Sequence, residues 1–374
     1  MLFFNELSFW ERKEYLNEID FVIIGAGIVG MSTAIFLKKR FPSAKITILE
    51  RGYLPSGAST KNAGFACFGS PTELFDDLQK NNEDKVWETF LLRYQGLQTL
   101  FSLVDKERIN YQPCASWDLL ENNQSDIPPD FIEYLNSKTN LFINEADVYS
   151  DDSLFANSFG FNGFQKAYKN RLEGSLDTGK LITELFKKTV ELGIQTLFGL
   201  NLESYTEAEQ EVSLNTNFGE LKCAHLLICT NGFANKFLDA DLQPARAQVM
   251  ITKPINDLKL EGTFHFDAGY YYFRNIENRI LIGGGRNLNI EGETTENFGT
   301  TEQIQDSILN LLKENILPNT PFEIDYSWSG IMGVGKEKSP IIKKVNNCVA
   351  FGVRMGGMGV AIGSEVGKKL ANLF

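Results

Sequence analysis

Short uninterrupted apolar runs recur along this chain, and several close on glycine or small polar residues. Phe21 to Ile24 is the first, with the pattern of a strand buried on both faces of a parallel sheet. It runs into Gly25-Ala26-Gly27-Ile28-Val29-Gly30. Ile28, Met31, Ile35 and Phe36 then fit the buried stripe of a helix, which Phe41-Pro42 ends. Ile46 to Leu49 is a second buried strand, closing on Glu50. His225 to Cys229 is a third, closing on Thr230-Asn231-Gly232. Near the C-terminus a strand from Val349 runs through Arg354-Met355-Gly356-Gly357-Met358-Gly359 into a last helix, Val360 to Phe374. A plain strand–helix hairpin does not explain so many glycines in that turn.

Between these runs the periodicity changes. Pro71 to about Arg108 reads as mainly helical, with Leu74, Leu78, Trp87, Phe90, Leu91, Tyr94, Leu97 and Phe101 as a core-packing stripe. Tyr111 to Leu120 looks extended, 126–130 is a breaker, and a helix over about 130–137 follows. Leu176 to Leu192 predicts an amphipathic helix capped by Asp177 or Thr178 and ended by Gly193. Val212–Leu214 and Leu221–Cys223 suggest a small hairpin. Pro244 to Phe322 has strand character at Ala247–Ile251, Gly269–Phe273 and Ile280–Gly283, interrupted by a helix from Thr301 to Leu312. Phe322 to Trp328 returns as a strand. At the N-terminus, Leu7, Trp10 and Leu16 form one face of a short helix or belong to a frayed polar arm. The fold class is therefore α/β, with an α+β, antiparallel-sheet region beside the parallel one.

The first glycine run is a GxGxxG in the right context, between a strand and a helix. Gly25 permits the turn, Gly27 lets a pyrophosphate approach the backbone, and Gly30 lets the helix pack on the strand. Glu50, twenty residues after Gly30, can accept hydrogen bonds from ribose hydroxyls and disfavours a 2′-phosphate. A glycine-rich turn without ligand explains the glycines but not the order strand, glycines, helix, strand, acid.

Composition removes other classes. The net charge of −12 over 374 residues argues against nucleic acid as partner. Five scattered cysteines with no CxxC pair fit reduced thiols in the cytoplasm. Two distant histidines, His225 and His265, support neither a metal site nor a Ser-His-Asp enzyme; His225 reads as a satisfied structural residue. No segment is apolar enough to span a bilayer, and Met1 to Tyr15, with Glu6, Glu11 and Glu14, does not read as a secretory signal.

After Glu50 come Arg51 and the small, polar stretch Ser56-Gly57-Ala58-Ser59-Thr60-Lys61-Asn62-Ala63-Gly64. Together with the glycine run and Leu49-Glu50-Arg51, this order resembles the D-amino-acid-oxidase-like FAD oxidoreductases. Glycine and sarcosine oxidases, D-amino-acid dehydrogenases and gamma-glutamylputrescine oxidases belong to that family. The resemblance spans Phe21 to Phe374. It implies a Rossmann-like FAD-binding domain (1–70, 166–235, 330–374) interleaved with a substrate domain (71–165, 236–329). It implies cofactor contacts from Gly25, Ala26, Gly27, Ile28, Gly30, Glu50 and Arg51. Ser59, Thr60, Lys61, Asn62 and Ala63 are placed beside the flavin, Leu202 at the adenine, and Thr230, Asn231 and Gly232 at the returning strand. Gly330, Arg354, Gly356, Gly357, Met358 and Gly359 complete the set. The loop 56–64 holds no histidine and 330–335 no cysteine, so the FAD is expected to be non-covalent.

The reaction implied is oxidation of a C–N bond in an amine or amino-acid derivative. Hydride passes to flavin N5, the imine is hydrolysed, and oxygen or another acceptor takes the electrons. The family often binds a substrate carboxylate with arginine, but Met332 stands where that arginine is expected. Arg354 then becomes the candidate beside the flavin, with Lys61, Tyr270 and Tyr272 facing the substrate and Tyr271 packing behind. Arg274 and Arg286 are alternative anion binders. A 2-hydroxy-acid dehydrogenase on the same scaffold, a flavin protein acting on a modified RNA base, and a non-catalytic flavin-binding protein remain open.

Overall fold

The computed structural model describes residues 4–374, so the first three residues of the N-terminal stretch lie outside it. Six strands form one sheet in the order Ile341–Lys344, Val349–Val353, His225–Ile228, Phe21–Ile24, Ile46–Glu50, Gln195–Phe198. All neighbours are parallel except the first pair. Alternation along Phe21–Ile24 divides the packing. Phe21 and Ile23 face the helices Ile28–Arg40, Thr178–Glu191 and Gly359–Ala371. Val22 and Ile24 face a three-stranded sheet of Leu202–Glu207, Val212–Thr216 and Gly219–Cys223. Being covered on both faces is why these strands read as unbroken apolar runs.

A second sheet has eight strands, ordered Ile324–Val334, Gln243–Thr252, Arg279–Gly284, Tyr271–Ile276, Thr263–Phe266, Ser116–Glu121, Phe164–Asn170, Tyr149–Asp151. It is antiparallel except where Thr263–Phe266 meets Ser116–Glu121. One face buries Phe264, Phe266, Tyr271 and Phe273 under the helix Glu302–Leu311. The strand Thr263–Phe266 was not expected: two phenylalanines around one histidine are too short a signal for periodicity alone.

Several boundaries move. The expected helix from Pro71 is two helices, Pro71–Lys80 and Glu83–Leu103, because the Asn82 side chain accepts from the N–H groups of Asp84 and Lys85 and caps a new start. The longer one packs along Gly359–Ala371, with the Thr99 hydroxyl donating to the buried Glu365 carboxylate at 2.6 Å. It therefore belongs to the core of the parallel sheet although it lies within 71–165. The eight-stranded sheet in turn takes in Phe164–Asn170 and Ile324–Val334, which straddle the boundaries expected at 166 and 330. The helix expected over about 130–137 runs from Phe131 to Ile143. Asp177 caps Thr178–Glu191 through the Lys180 N–H. At the N-terminus, Ser8 and Glu11 make a reciprocal capping box, and Leu16 packs on the core, while Trp10 stays 72% exposed. His225 sits between the Phe21 and Phe374 rings, but its buried Nδ1 has no partner among the described residues.

Candidate active site

A cavity of about 890 Å³ runs between the glycine turns of the parallel sheet and the open face of the eight-stranded sheet. At one end, Gly25 takes φ +102°, and an added Cβ on Gly30 would lie 1.9 Å from the Gly25 carbonyl oxygen. Only glycine allows that approach of helix to turn. The helix Ile28–Arg40 has no side-chain cap from Gly27; its Ile28 N–H donates to Ser59 Oγ at 3.1 Å, and Ile28 and Val29 of this first turn line the cavity. Glu50 ends its strand buried, one carboxylate oxygen accepting from the Ala26 N–H and the other from the Gly52 N–H, both at 3.0 Å. Each oxygen keeps a lone pair for a ribose hydroxyl. Arg51 stacks over the Phe233 ring at 3.9 Å, and Lys236 Nζ donates to the Leu202 carbonyl; both line the same end.

Midway, Gly356 and Gly357 take φ +57° and +83°. They lead into Gly359–Ala371, whose N-terminus also lacks a side-chain cap. Asn231 Oδ1 accepts from the Met355 N–H and ties the two returning strands together. Opposite lies the loop 57–64. The Asn62 amide donates to the Ala58 and Ser59 carbonyls, and its oxygen accepts from Gly64 N–H and the Thr178 hydroxyl. Gly330, Met332 and Met358 complete this part of the wall.

The far end is walled by Phe65, His265, Tyr270 and Tyr272. Tyr271 packs behind, stacked on Phe266, so the two tyrosine faces divide as the strand alternation predicts. Burial pushes the Tyr272 phenol up to about 12. Also in the lining, Arg93 pairs with Glu73 at 3.1 Å, and Lys338 Nζ bridges Glu73 and Asp77 at 2.8 Å each. Burial alone would raise the Glu73 carboxyl, but the Arg93 guanidinium and the Lys338 ammonium hold it at about 2.

Most residues singled out in the sequence meet here: Gly25, Gly27, Ile28, Glu50, Arg51, Ser59, Lys61, Asn62, Ala63, Leu202, Thr230, Asn231, Gly330, Met332 and Gly356 to Gly359 all line the cavity. Six do not. Arg354 is the main correction. Its backbone is left-handed, φ +64°, and its buried side chain turns away to donate to the Asp241 carboxylate at 3.1 Å, the Asp241 carbonyl and the Ser339 carbonyl. Arg274 is also buried and donates to the Gly64 and Leu176 carbonyls. The Thr60 hydroxyl donates to Gly57 O, and Gly232 lies against the Met332 carbonyl. Ala26 and Gly30 act through the turn's own packing. Arg286 does line the cavity. Sequence reasoning missed Phe65, Phe233, Lys236 and His265, and the Glu73–Lys338 pair. Only His265 left a signal, as the polar position between Phe264 and Phe266.

The residues present fit a flavin dinucleotide. Two helix ends without an N-cap side-chain bond, a buried strand-end carboxylate at Glu50 and a buried Thr230 hydroxyl with no partner among the described residues all border one elongated cavity. The fold and this geometry define a dinucleotide-dependent oxidoreductase. Residues 20–373 match the family described as DAO, FAD dependent oxidoreductase, and the chain belongs to that family of flavoproteins. It is 19% identical over 375 residues to the probable oxidoreductase OrdL of Haemophilus influenzae, covering 95% of this chain and 83% of that protein. It is 21% identical over 352 residues to the sarcosine oxidase subunit beta of Rhizobium meliloti, covering 90% and 79%. Among solved structures it resembles the glycine oxidase of Bacillus cereus with a TM-score of 0.75 at 16% identity, covering 95% and 94% of the two chains. Among the described residues no helix is long and apolar enough to cross a membrane.

Proposed function

We propose that this protein oxidises the C–N bond of a small amine or amino-acid derivative, with FAD held non-covalently. The observation that carries the reading is the continuity of one cavity from the Glu50 end, past the Gly359 helix terminus, to the Tyr270 and Tyr272 face. The names of the relatives, a sarcosine oxidase subunit and a glycine oxidase, support the substrate class. When bound, FAD supplies the acceptor for the hydride leaving the carbon beside the substrate nitrogen, and oxygen or another acceptor then takes the electrons.

The chain's own part is binding, orientation and exclusion of water. The helix terminus at Gly359 sets a positive dipole end at the middle of the cavity, where negative charge is favoured. Among the described residues Arg286 forms no ion pair, and Lys61 Nζ has only the Phe298 ring, at 5.4 Å. These two cations are the candidates for a substrate carboxylate in place of the arginine that Met332 replaces. Tyr270 and Tyr272 orient the substrate from the sheet. Five free cysteines support a cytoplasmic setting, and the charge of −12 disfavours nucleic acid as partner.

The test is an absorbance spectrum of the purified protein before and after anaerobic addition of a panel that includes glycine, N-methylglycine, L-proline and simple amines. Flavin bands that bleach with an amine are the expected result. Bleaching with 2-hydroxy acids alone overturns the C–N assignment. A flavin that nothing in either panel reduces points to a binding protein.

A further inference from the structure

Across the cavity face of the eight-stranded sheet, three polar side chains stand in a row. His265 is the register partner of Asp118 on its parallel side and of Tyr272 on its antiparallel side. Register partners project to the same face. Phe264 and Phe266, on either side of His265, project to the opposite one and join the core under Glu302–Leu311. The Phe65 ring, just after the loop 57–64, lies 6.1 Å from the His265 ring and 5.6 Å edge-on from that of Tyr272. The imidazole therefore lies in the far wall, beside the loop expected at the flavin.

Asp118 is settled by hydrogen bonds, but His265 is not. Asp118 is buried, and its carboxylate accepts from the Thr72 N–H at 2.7 Å and the Thr72 hydroxyl at 3.1 Å. Tyr272 packs against Phe65. His265 makes no side-chain hydrogen bond among the described residues, and its Nε2 is buried without a partner. A buried ring nitrogen left unpaired is costly; Nε2 is closed off in this structure, while the half-buried residue lines the cavity and keeps Nδ1 as its open nitrogen.

We propose that His265 receives the nitrogen end of the substrate. One imidazole nitrogen accepts a hydrogen bond from the substrate N–H and takes the proton of a substrate ammonium, leaving the amine neutral for hydride loss. The N–H bond of the substrate breaks, an N–H bond forms on the ring, and no electrons leave the pair. Asp118, the register partner one strand away, is a positioning residue for the ring. The inference rests on the amine-oxidation reading.

The test uses the holoenzyme and an amine that bleaches the wild-type flavin in the panel above, followed by stopped-flow reduction. Butyrate, which has the shape of N-methylglycine without its nitrogen, is titrated separately through the flavin bands. His265→Phe is expected to keep its flavin, to raise the amine dissociation constant or lower the reduction rate at least tenfold, and to leave butyrate binding within twofold. His265→Asn and His265→Gln, which return a polar atom near Nδ1 and Nε2 respectively, are expected to recover part of the loss in one case and not the other. They also carry the test if His265→Phe does not hold flavin. Equal amine binding and equal reduction rates in wild type and variants overturn the proposal and leave the reaction assignment standing. Parallel loss of amine and butyrate binding in every variant also overturns it, because the effect is then general distortion of the wall. Failure of every amine to bleach the wild-type flavin overturns the amine-oxidation reading itself.

Discussion

The Ser59 hydroxyl accepts a hydrogen bond from the Ile28 N–H at 3.1 Å, and a Cβ added to Gly27 would lie 2.8 Å from the same oxygen. This one contact closes the loop 57–64 onto the first turn of the dinucleotide-side helix. The two stretches that stand out in the sequence thus meet through the Ser59 side chain.

Gly27→Val should therefore drive the loop off the turn and remove the phosphate approach. We expect the variant to purify with little or no yellow colour and to bind added FAD at least about 100-fold more weakly, a cost of about 3 kcal/mol. Flavin absorbance per protein, followed by titration, checks this. Retention of normal flavin content contradicts the assignment of the Gly25–Gly30 turn.

Arg354→Ala should behave as a stability variant. The side chain holds Asp241 and the Ser339 carbonyl, so its loss should cost about 1–3 kcal/mol in denaturant unfolding. Flavin content and the rate of substrate reduction should stay near wild type. Arg354→Gly, which suits φ +64°, should be no less stable than Arg354→Ala. A specific fall in reduction rate with stability unchanged would return Arg354 to the site.

Glu73 gives a pH dependence of defined sign. Its carboxyl is lowered from 4.5 to about 2 in the folded protein. Its contribution to stability is therefore fully present above pH 4.5 and is lost as pH falls towards 2. Glu73→Gln should be less stable than wild type at pH 7, by about 3 kcal/mol. That gap should shrink as unfolding is measured at pH 4 and then pH 3. A gap independent of pH shows that the Arg93 and Lys338 pairs are not its source.

Arg286→Met removes from the cavity wall a cation that forms no ion pair among the described residues, while keeping most of the side-chain length. Flavin should remain, and the dissociation constant of a small carboxylate such as acetate, read from the flavin bands, should rise about tenfold, the scale of one charge-assisted hydrogen bond. If Lys61→Met produces the effect and Arg286→Met does not, the anion sits on the loop side of the cavity.

The parallel unit and its glycine turns were legible because their signals are local. Gly25, Gly27, Gly30 and Glu50 lie within one strand–helix–strand unit, and each residue's task is set by its immediate neighbours. The same holds for Asp177, which caps the helix three residues from its bond partner. Arg354 was misread because the glycines around it announce a turn but not which way a left-handed residue sends its side chain. Asp241, which captures it, lies far away in the chain. The helix break at Asn82 was missed although no apolar residue lies between Leu78 and Val86, because the cap that starts the second helix depends on one side chain folding back.

The sequence by itself determined the parallel sheet, the alternation that sends Tyr270 and Tyr272 to one side and Tyr271 to the other, and the two glycine-rich helix ends that a flavin dinucleotide needs. Those features follow from steric limits and burial over a few consecutive residues. Tertiary structure alone decided which cations stay free in the cavity and which are bound to a partner, Arg286 against Arg274 and Arg354. It also decided that His265 stands between Asp118 and Tyr272, since strand register is set by pairing between segments distant in the chain. The availability of a polar group depends on what else is close enough to pair with it, and that becomes defined only when the two sheets close on one cavity.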